Sequence, residues 1–151
     1  MIWLLAGLAA AWFILLLATP FLPPLFSASI YTIGSLICHQ RPERSFWLAG
    51  VQLPVCARCV GIYAGVVIGA AAAPLLGLVR RPRSWMVAST IPALVSLVVE
   101  WAGLGRPSNA VRAMTGLVGG AIIAGVVLAT LNYERCARPR PNAPNPPRTP
   151  I

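Results

Sequence analysis

The run Ala110-Val111-Arg112-Ala113-Met114-Thr115-Gly116-Leu117-Val118-Gly119-Gly120-Ala121-Ile122-Ile123-Ala124-Gly125-Val126-Val127-Leu128-Ala129-Thr130-Leu131 decides the fold. Arg112, near its start, is its only charge. A stretch of this length and apolarity is what a helix needs to cross a bilayer. Gly116, Gly120 and Ala124 recur at every fourth position and so share one helix face. Gly61, Gly65 and Gly69 repeat the pattern in the apolar run 60–79. Small residues at this spacing let two backbones approach closely in lipid, where packing replaces the hydrophobic drive. The two stripes therefore predict that these segments pack together. That packing would bring Asn109 and Arg112 beside Arg58 and Cys59.

Working outward, Ile2 to Thr19 forms a second continuous apolar run, which Pro20, Pro23 and Pro24 end. It has no basic residues ahead of it and no small-x-small cleavage site, so it reads as a retained membrane segment rather than a signal peptide. Residues 25–37 are apolar but short, and they carry Ser27, Ser29, Tyr31, Thr32 and Ser35. Such a segment spans only if its flanks are included, and otherwise lies re-entrant or interfacial. Residues 85–104 form another apolar run, with Glu100 near its end. The expected fold is all-α: a polytopic transmembrane helix bundle with four to five membrane segments. The transmembrane helical domain covers 1–131, with a polar extracytoplasmic loop at 38–59. Residues 132–151, rich in Pro and Arg, read as a disordered basic tail. Cys136 within it reads as an ordinary thiol.

Composition supports a membrane solvent. The chain is 58% hydrophobic and 10% charged, with a formal net charge of +9 carried by arginine alone. Soluble domains carry roughly 25% charged residues, and a soluble fold of 151 residues could not hide this much apolar surface. The arginines fall in loops, at segment ends and in the tail, which suits lipid headgroups and topology signals rather than nucleic acid. Arg80, Arg81 and Arg83 lie on the same side as the tail if the last two segments both span, and together these regions hold seven arginines. The positive-inside rule then makes the tail cytoplasmic.

Two polar constellations stand out in this apolar chain. The first is Cys38-His39 followed by Cys56-Ala57-Arg58-Cys59, three cysteines and the only histidine. A Cys-x-x-Cys turn with a second Cys/His pair supplies four soft ligands for zinc or another transition metal. Adjacent side chains on a helix diverge by about 100°, so Cys38 and His39 converge only if the helix ends there, as Arg41-Pro42 suggests. Two alternatives stay open: a redox or structural disulfide between Cys56 and Cys59, and buried inert thiols with an interfacial histidine.

The second constellation is cationic. Arg41, Arg44 and Arg58, with Ser45, surround the cysteines. Guanidinium forks match phosphate and carboxylate oxygens, so the set reads as an anion or lipid-headgroup pocket. The bland alternative is snorkelling with an Arg44–Glu43 or Arg41–Glu100 pair. Ser108 is placed to cap the last segment, and Asn109 and Arg112 share a face of it. Glu100 and Arg112 flank one short link and are each other's obvious partner. An ionisable group within a membrane segment is a functional candidate by default, which makes Glu100 and Arg112 the candidates for any catalytic role.

The blocks Cys38-His39-Gln40-Arg41-Pro42-Glu43-Arg44-Ser45-Phe46 and Pro54-Val55-Cys56-Ala57-Arg58-Cys59-Val60-Gly61-Ile62-Tyr63-Ala64-Gly65 resemble the hallmark of the domain-of-unknown-function 2085 family of bacterial and archaeal membrane proteins. Ser108-Asn109-Ala110-Val111-Arg112-Ala113-Met114-Thr115-Gly116 is similar to its second block, with Glu100 in the place of an acidic residue ahead of it. The resemblance implies a small polytopic protein of a prokaryotic plasma membrane whose shared polar positions form one site. It implies no reaction. The expected function is a Cys38, His39, Cys56 and Cys59 metal site beside the arginine pocket, with metal-assisted chemistry on an anionic lipid as its furthest reach. The rivals are a membrane thiol–disulfide protein using Cys56 and Cys59, and a small carrier or channel component, for which a homo-oligomer would supply the second half. The expected partners are membrane lipids and not nucleic acid.

Overall fold

The computed structural model describes residues 2–73 and 82–137, with side chains for 4–73 and 84–131. Helix α1 spans Ile2–Ala18 and closes in a 3-10 turn, Thr19–Phe21, that contains Pro20. Helix α2, Pro24–Ser35, opens on a proline whose missing N–H falls where no helical bond is needed. A second 3-10 turn, Pro42–Arg44, leads into a hairpin of strands β1 (Ser45–Leu48) and β2 (Val51–Cys56). Helices α3 (Ala57–Ala72), α4 (Pro82–Trp101) and α5 (Asn109–Ala137) complete the order.

Among the described residues three helices are long and apolar enough to cross a membrane, α1, α4 and α5, which does not confirm the expected four to five segments. The twelve residues of α2 rise only about 18 Å, well short of a hydrocarbon core of about 30 Å. The sixteen described residues of α3 reach about 24 Å. Outward side chains such as Leu8 and Ile14 on α1 and Leu94 and Val98 on α4 are exposed, as expected where lipid is the solvent.

Packing fixes the helix directions. Ala6 of α1 lies against the cluster of Ala70, Ala73 and Leu128, while Leu16 meets Val55 and Ile30. Helix α1 therefore runs antiparallel to α3. Helices α3 and α5 are parallel and touch backbone to backbone. A Cβ on Gly61, Gly65 or Gly69 would overlap the carbonyl oxygen of Ala113, Leu117 or Ala121, and one on Gly116 or Gly120 would overlap that of Arg58 or Ile62. The helix α4 returns antiparallel to both, with Ser96 beside Arg58 and Glu100 beside Arg112. One end of the bundle thus collects the ends of α1, α2 and α4, the starts of α3 and α5, and the hairpin.

The expected plain loop at 38–59 contains that hairpin, so the fold is helical with a small antiparallel sheet rather than purely α. Trp47 pairs with Gln52 and Leu48 with Val51, and the ladder is irregular between Ser45 and Trp47. The two-residue turn has positive φ at both Ala49 (53°) and Gly50 (77°), the twist that matches the strands. Pro54 and Val55 are fully buried, so β2 is pressed into the bundle. At the other end α5 runs on to Ala137, six residues into the stretch read as tail. Residues 138–151, like Arg80 and Arg81, lie outside the described residues, as does the side chain of Cys136.

Candidate functional site

Each thiol is delivered by the end of an element. Cys38 lies three residues past the end of α2 and is tied back to it, its N–H bonded to the Gly34 carbonyl at 2.9 Å. Gly34 is buried where β2 crosses, and a Cβ there would meet the Pro54 carbonyl oxygen and the Gln40 amide. Cys56 ends β2 and is the residue before α3, and Cys59 lies in the first turn of α3. The three Sγ atoms lie within 4.8 Å of one another, with Cys56 and Cys59 3.5 Å apart. The Cys56 N–H donates to Cys38 Sγ at 3.1 Å. A tetrahedral zinc with Zn–S bonds of ~2.3 Å sets its sulfurs about 3.8 Å apart, so this triangle needs little adjustment to take one. The hydrogen bond shared with Cys59 holds the Cys56 thiol down at about 5, against the opposing effect of burial.

His39 does not join this triangle. The backbone leaves α2 after Ser35 and turns through a left-handed Gln40 (φ 49°), and His39 is exposed beside the buried Cys38. Gln40 is the brace that makes this turn. Its Nε2 donates to the Tyr31 carbonyl at 2.7 Å and the Pro54 carbonyl at 2.8 Å, and its own carbonyl accepts from Gln52 Nε2 at 2.7 Å. Tyr31 Oη donates to the Gln52 carbonyl. These contacts clamp α2 to β2, and with them Cys38 to Cys56.

The cationic constellation converges on Glu100, whose side chain is only 9% exposed. Its Oε1 lies 2.9 Å from both Arg44 and Arg112, and its Oε2 lies 3.9 Å from Arg58. The Glu100–Arg112 pair forms as expected, but Arg44 also takes Glu100 rather than Glu43 or leaving that place to Arg41. Arg112 donates onward to Asn109 Oδ1 at 2.9 Å and to the Glu43 carbonyl at 3.5 Å. Asn109 Nδ2 bonds the Ser45 carbonyl at 3.0 Å, and Ser45 Oγ bonds the Arg41 carbonyl at 2.9 Å. Ser108 Oγ accepts the Val111 N–H at 3.3 Å, the helix cap its position suggests. Arg58 donates to Ser96 Oγ at 2.8 Å. Three guanidiniums therefore face one carboxylate. Glu100 Oε2 and the Nε atoms of Arg58 and Arg112 are buried without a hydrogen-bond partner among the described residues.

Both constellations open on one cavity of about 320 Å³, lined by the three cysteines, His39, Arg41, Arg44, Arg58, Glu100 and Arg112 among others. A wider cavity of about 590 Å³ continues along Arg41, Arg44, Arg106, Asn109 and Arg112. Ser45 is fully buried and acts through its backbone and hydroxyl bonds, away from the cavity wall. The sequence reading omits Gln40, Gln52, Tyr31 and Ser96. Two glutamines and a tyrosine crowded about a Cys/His motif, and a serine one helical turn before Glu100, are the signals that would have found them.

The model of the family described as predicted membrane proteins, DUF2085, matches residues 38–126. The chain belongs to this family. The match begins on Cys38 and contains the whole thiol triangle and the arginine–glutamate cluster, while α1 lies outside it. The chain is similar to "Uncharacterized protein MJ1492" of Methanocaldococcus jannaschii, 38% identical over 98 residues, covering 62% of this chain and 63% of that one. It is also 34% identical over 86 residues to an "Uncharacterized protein" of Methanothermobacter thermautotrophicus, covering 56% and 78%. The chain thus spans less than two thirds of the first of these. No solved structure matches it.

Proposed function

We propose that this DUF2085 protein binds a transition metal, zinc in first place, on Cys38, Cys56 and Cys59, at the wall of a cavity that receives an anion. The observation that carries the reading is the convergence of three thiols, from α2, β2 and α3, within 4.8 Å. A redox pair needs two sulfurs, and a third one accepting a backbone N–H is the arrangement of a metal–thiolate shell. Charge favours it as well. Three thiolates around a divalent ion carry a net negative charge, and the excess positive charge of the Arg44, Arg58 and Arg112 cluster faces them across the same cavity. Three protein ligands leave a fourth position, the mark of zinc sites that bind or activate a ligand rather than only brace a fold. His39 stands at the cavity rim and is not needed to complete the triangle. Glu100 is a positioning residue in this scheme, gathering the guanidiniums. The bundle end that bears the site faces outward if the C-terminal tail is cytoplasmic, as the arginine distribution suggests.

Elemental analysis of detergent-purified protein tests the reading. About one equivalent of metal is expected, lost in Cys38→Ser and Cys59→Ser and kept in His39→Ala. Less than about a tenth of an equivalent in the unsubstituted protein overturns it. The lowered Cys56 thiol, 3.5 Å from Cys59 at the start of a helix, favours one second reading, a dithiol that passes two electrons and two protons to an external disulfide. That reading requires metal-free protein with two titratable thiols that disappear together on oxidation, and loss of this exchange in the Cys56→Ser/Cys59→Ser double variant.

A further inference from the structure

The arginine cavity adjoins an apolar groove that the metal reading leaves unused. Helices α3 and α4 both pack on α5 but diverge from each other, and the space between them is a groove of about 330 Å³. Arg58 and Ile62 line both spaces, so the polar cavity and the groove share a wall. Below Arg58 the groove is walled by apolar side chains such as Val66, Leu94, Leu97 and Ile123. Its three hydroxyl residues are turned away. Ser89, Thr90 and Thr115 donate to the Met86, Val87 and Arg112 carbonyls of their own helices. Along α5 the groove runs from Thr115 to Ile123, about 12 Å of helix, close to the ~15 Å depth of one leaflet.

We propose that the two spaces together hold one anionic membrane phospholipid, its phosphate on the arginine cluster and one acyl chain in the groove between α3 and α4. The proposal rests on the reading of the cavity as an anion site and adds the source of the anion. Charge complementarity argues for it at the head, where guanidiniums outnumber the carboxylate and Arg58 and Arg112 each keep a buried, unpartnered Nε. Shape and a wall below Arg58 whose hydroxyls all donate to their own helices argue for it at the tail. Within a bilayer the chain gains little from burial, because lipid tails are as apolar as the groove. The headgroup therefore carries the affinity, and the groove selects a ligand that bears a chain.

Purified full-length protein in nonionic detergent is titrated with phosphatidylglycerol, phosphatidylcholine and inorganic phosphate, and metal content is measured on the same samples. Phosphatidylglycerol is expected to bind at least tenfold more tightly than either of the others. Gly119 faces the groove, and a Cβ there meets only the Ser89 carbonyl oxygen at 3.7 Å, so Gly119→Leu fills the groove without a backbone clash. It is expected to weaken phosphatidylglycerol about tenfold and to leave inorganic phosphate unchanged. Ala93→Leu, from the α4 wall, is an independent filler with the same expected result. Arg58→Gln should weaken both phosphatidylglycerol and phosphate. Equal binding of phosphatidylcholine overturns the proposal, as does phosphatidylglycerol binding that neither filler changes. Inorganic phosphate matching phosphatidylglycerol makes the ligand a free anion and overturns it too. Groove-sensitive lipid binding by metal-free protein leaves the lipid site standing and removes the metal reading, while metal without lipid binding does the reverse.

Discussion

The seam between α3 and α5 and the polar cap above it are held by opposite means. The seam contains no ion pair and no side-chain hydrogen bond among the described residues; it is shape alone, two backbones meeting wherever one presents glycine. The cap has few apolar contacts of that closeness and is tied by charge and amide bonds that join residues as distant as Arg44 and Glu100. Shape is local and intolerant, since a single methyl has nowhere to go. Charge is distributed, since Arg58 and Arg112 each have a partner besides Glu100. The bundle fixes where the cap's residues stand, and the cap fixes which way they point.

The severest way to break this comparison is to add bulk to the seam. Gly120→Val drives its side chain into the Ile62 carbonyl of α3. Backbone cannot yield as a side-chain end does, so the expected cost is about 3 kcal/mol or more, a large share of a typical total of about 5–15. Thermal unfolding in detergent should show the bundle lost or its midpoint far lower. Gly119→Ala, one residue away and facing the groove, should be neutral or gain up to ~1 kcal/mol from helix propensity. Equal effects of the two substitutions would show that the seam is not where α3 and α5 touch.

The seam is also the part of the molecule most legible in the sequence. Glycine at every fourth position is a local pattern, and it places the start of α3 beside the start of α5 without any coordinates. Long apolar runs reveal α1, α4 and α5 for the same reason. The span count is less legible, because apolarity alone does not show where the prolines cut residues 21–37 down to the twelve of α2. The hairpin is illegible for two physical reasons. Its turn uses Ala-Gly where Asn-Gly would announce it, and Pro54 argues against a strand, yet sits in one with its neighbour on one side only. In the cap, the residues that meet are recognisable by type, as Cys, Arg and Glu in an apolar chain. Their partners are not, because Arg44, Arg58 and Arg112 come from three elements and no period links them to Glu100. His39 is the instructive case. Neighbouring Cys38 in sequence, it is exposed where Cys38 is buried, a difference of side-chain direction that no sequence period announces.

Breaking the cap should be graded rather than total. Glu100→Gln leaves three guanidiniums gathered around a neutral amide, and stranding the buried Arg112 charge in this way costs about 3–5 kcal/mol. Unlike the seam variant, it should be rescued in part by phosphate in the buffer, because an anion that binds only the folded form stabilises it. A melting temperature for Glu100→Gln that is low without phosphate and rises with it, while Gly120→Val shows no such rise, is the expected contrast. Indifference of both to phosphate would place the cap's stability elsewhere than in its charges.

A milder cut is Gln40→Ala, which removes one amide and two hydrogen bonds between α2 and β2 without touching a thiol. The Tyr31 and Pro54 carbonyls lose their partner, at a cost of about 1–3 kcal/mol. Supporting contacts of this kind shift metal affinity by about 10–100-fold, so on the proposed metal reading retention under a competing chelator should fall tenfold or more while the seam stays intact. Retention equal to that of the unsubstituted protein would mean that the triangle does not depend on how α2 is clamped to β2.

The smallest effect sharpens the comparison by strengthening the cap instead. Ala49 is exposed at the hairpin tip and adopts φ 53°, where an L side chain costs about 1–2 kcal/mol. Asparagine tolerates that region and is the usual first residue of such a turn before glycine. Ala49→Asn should therefore raise stability by about 0.5–1 kcal/mol, read as a small increase in melting temperature. The tip contributes no atom to the thiols, to Glu100 or to the groove, so metal content and phosphatidylglycerol binding should not move. A gain in stability with both readouts fixed separates the hairpin's folding role from the chemistry of the site beneath it. A loss of stability would mean that the turn does not hold its left-handed pair in the membrane-bound protein.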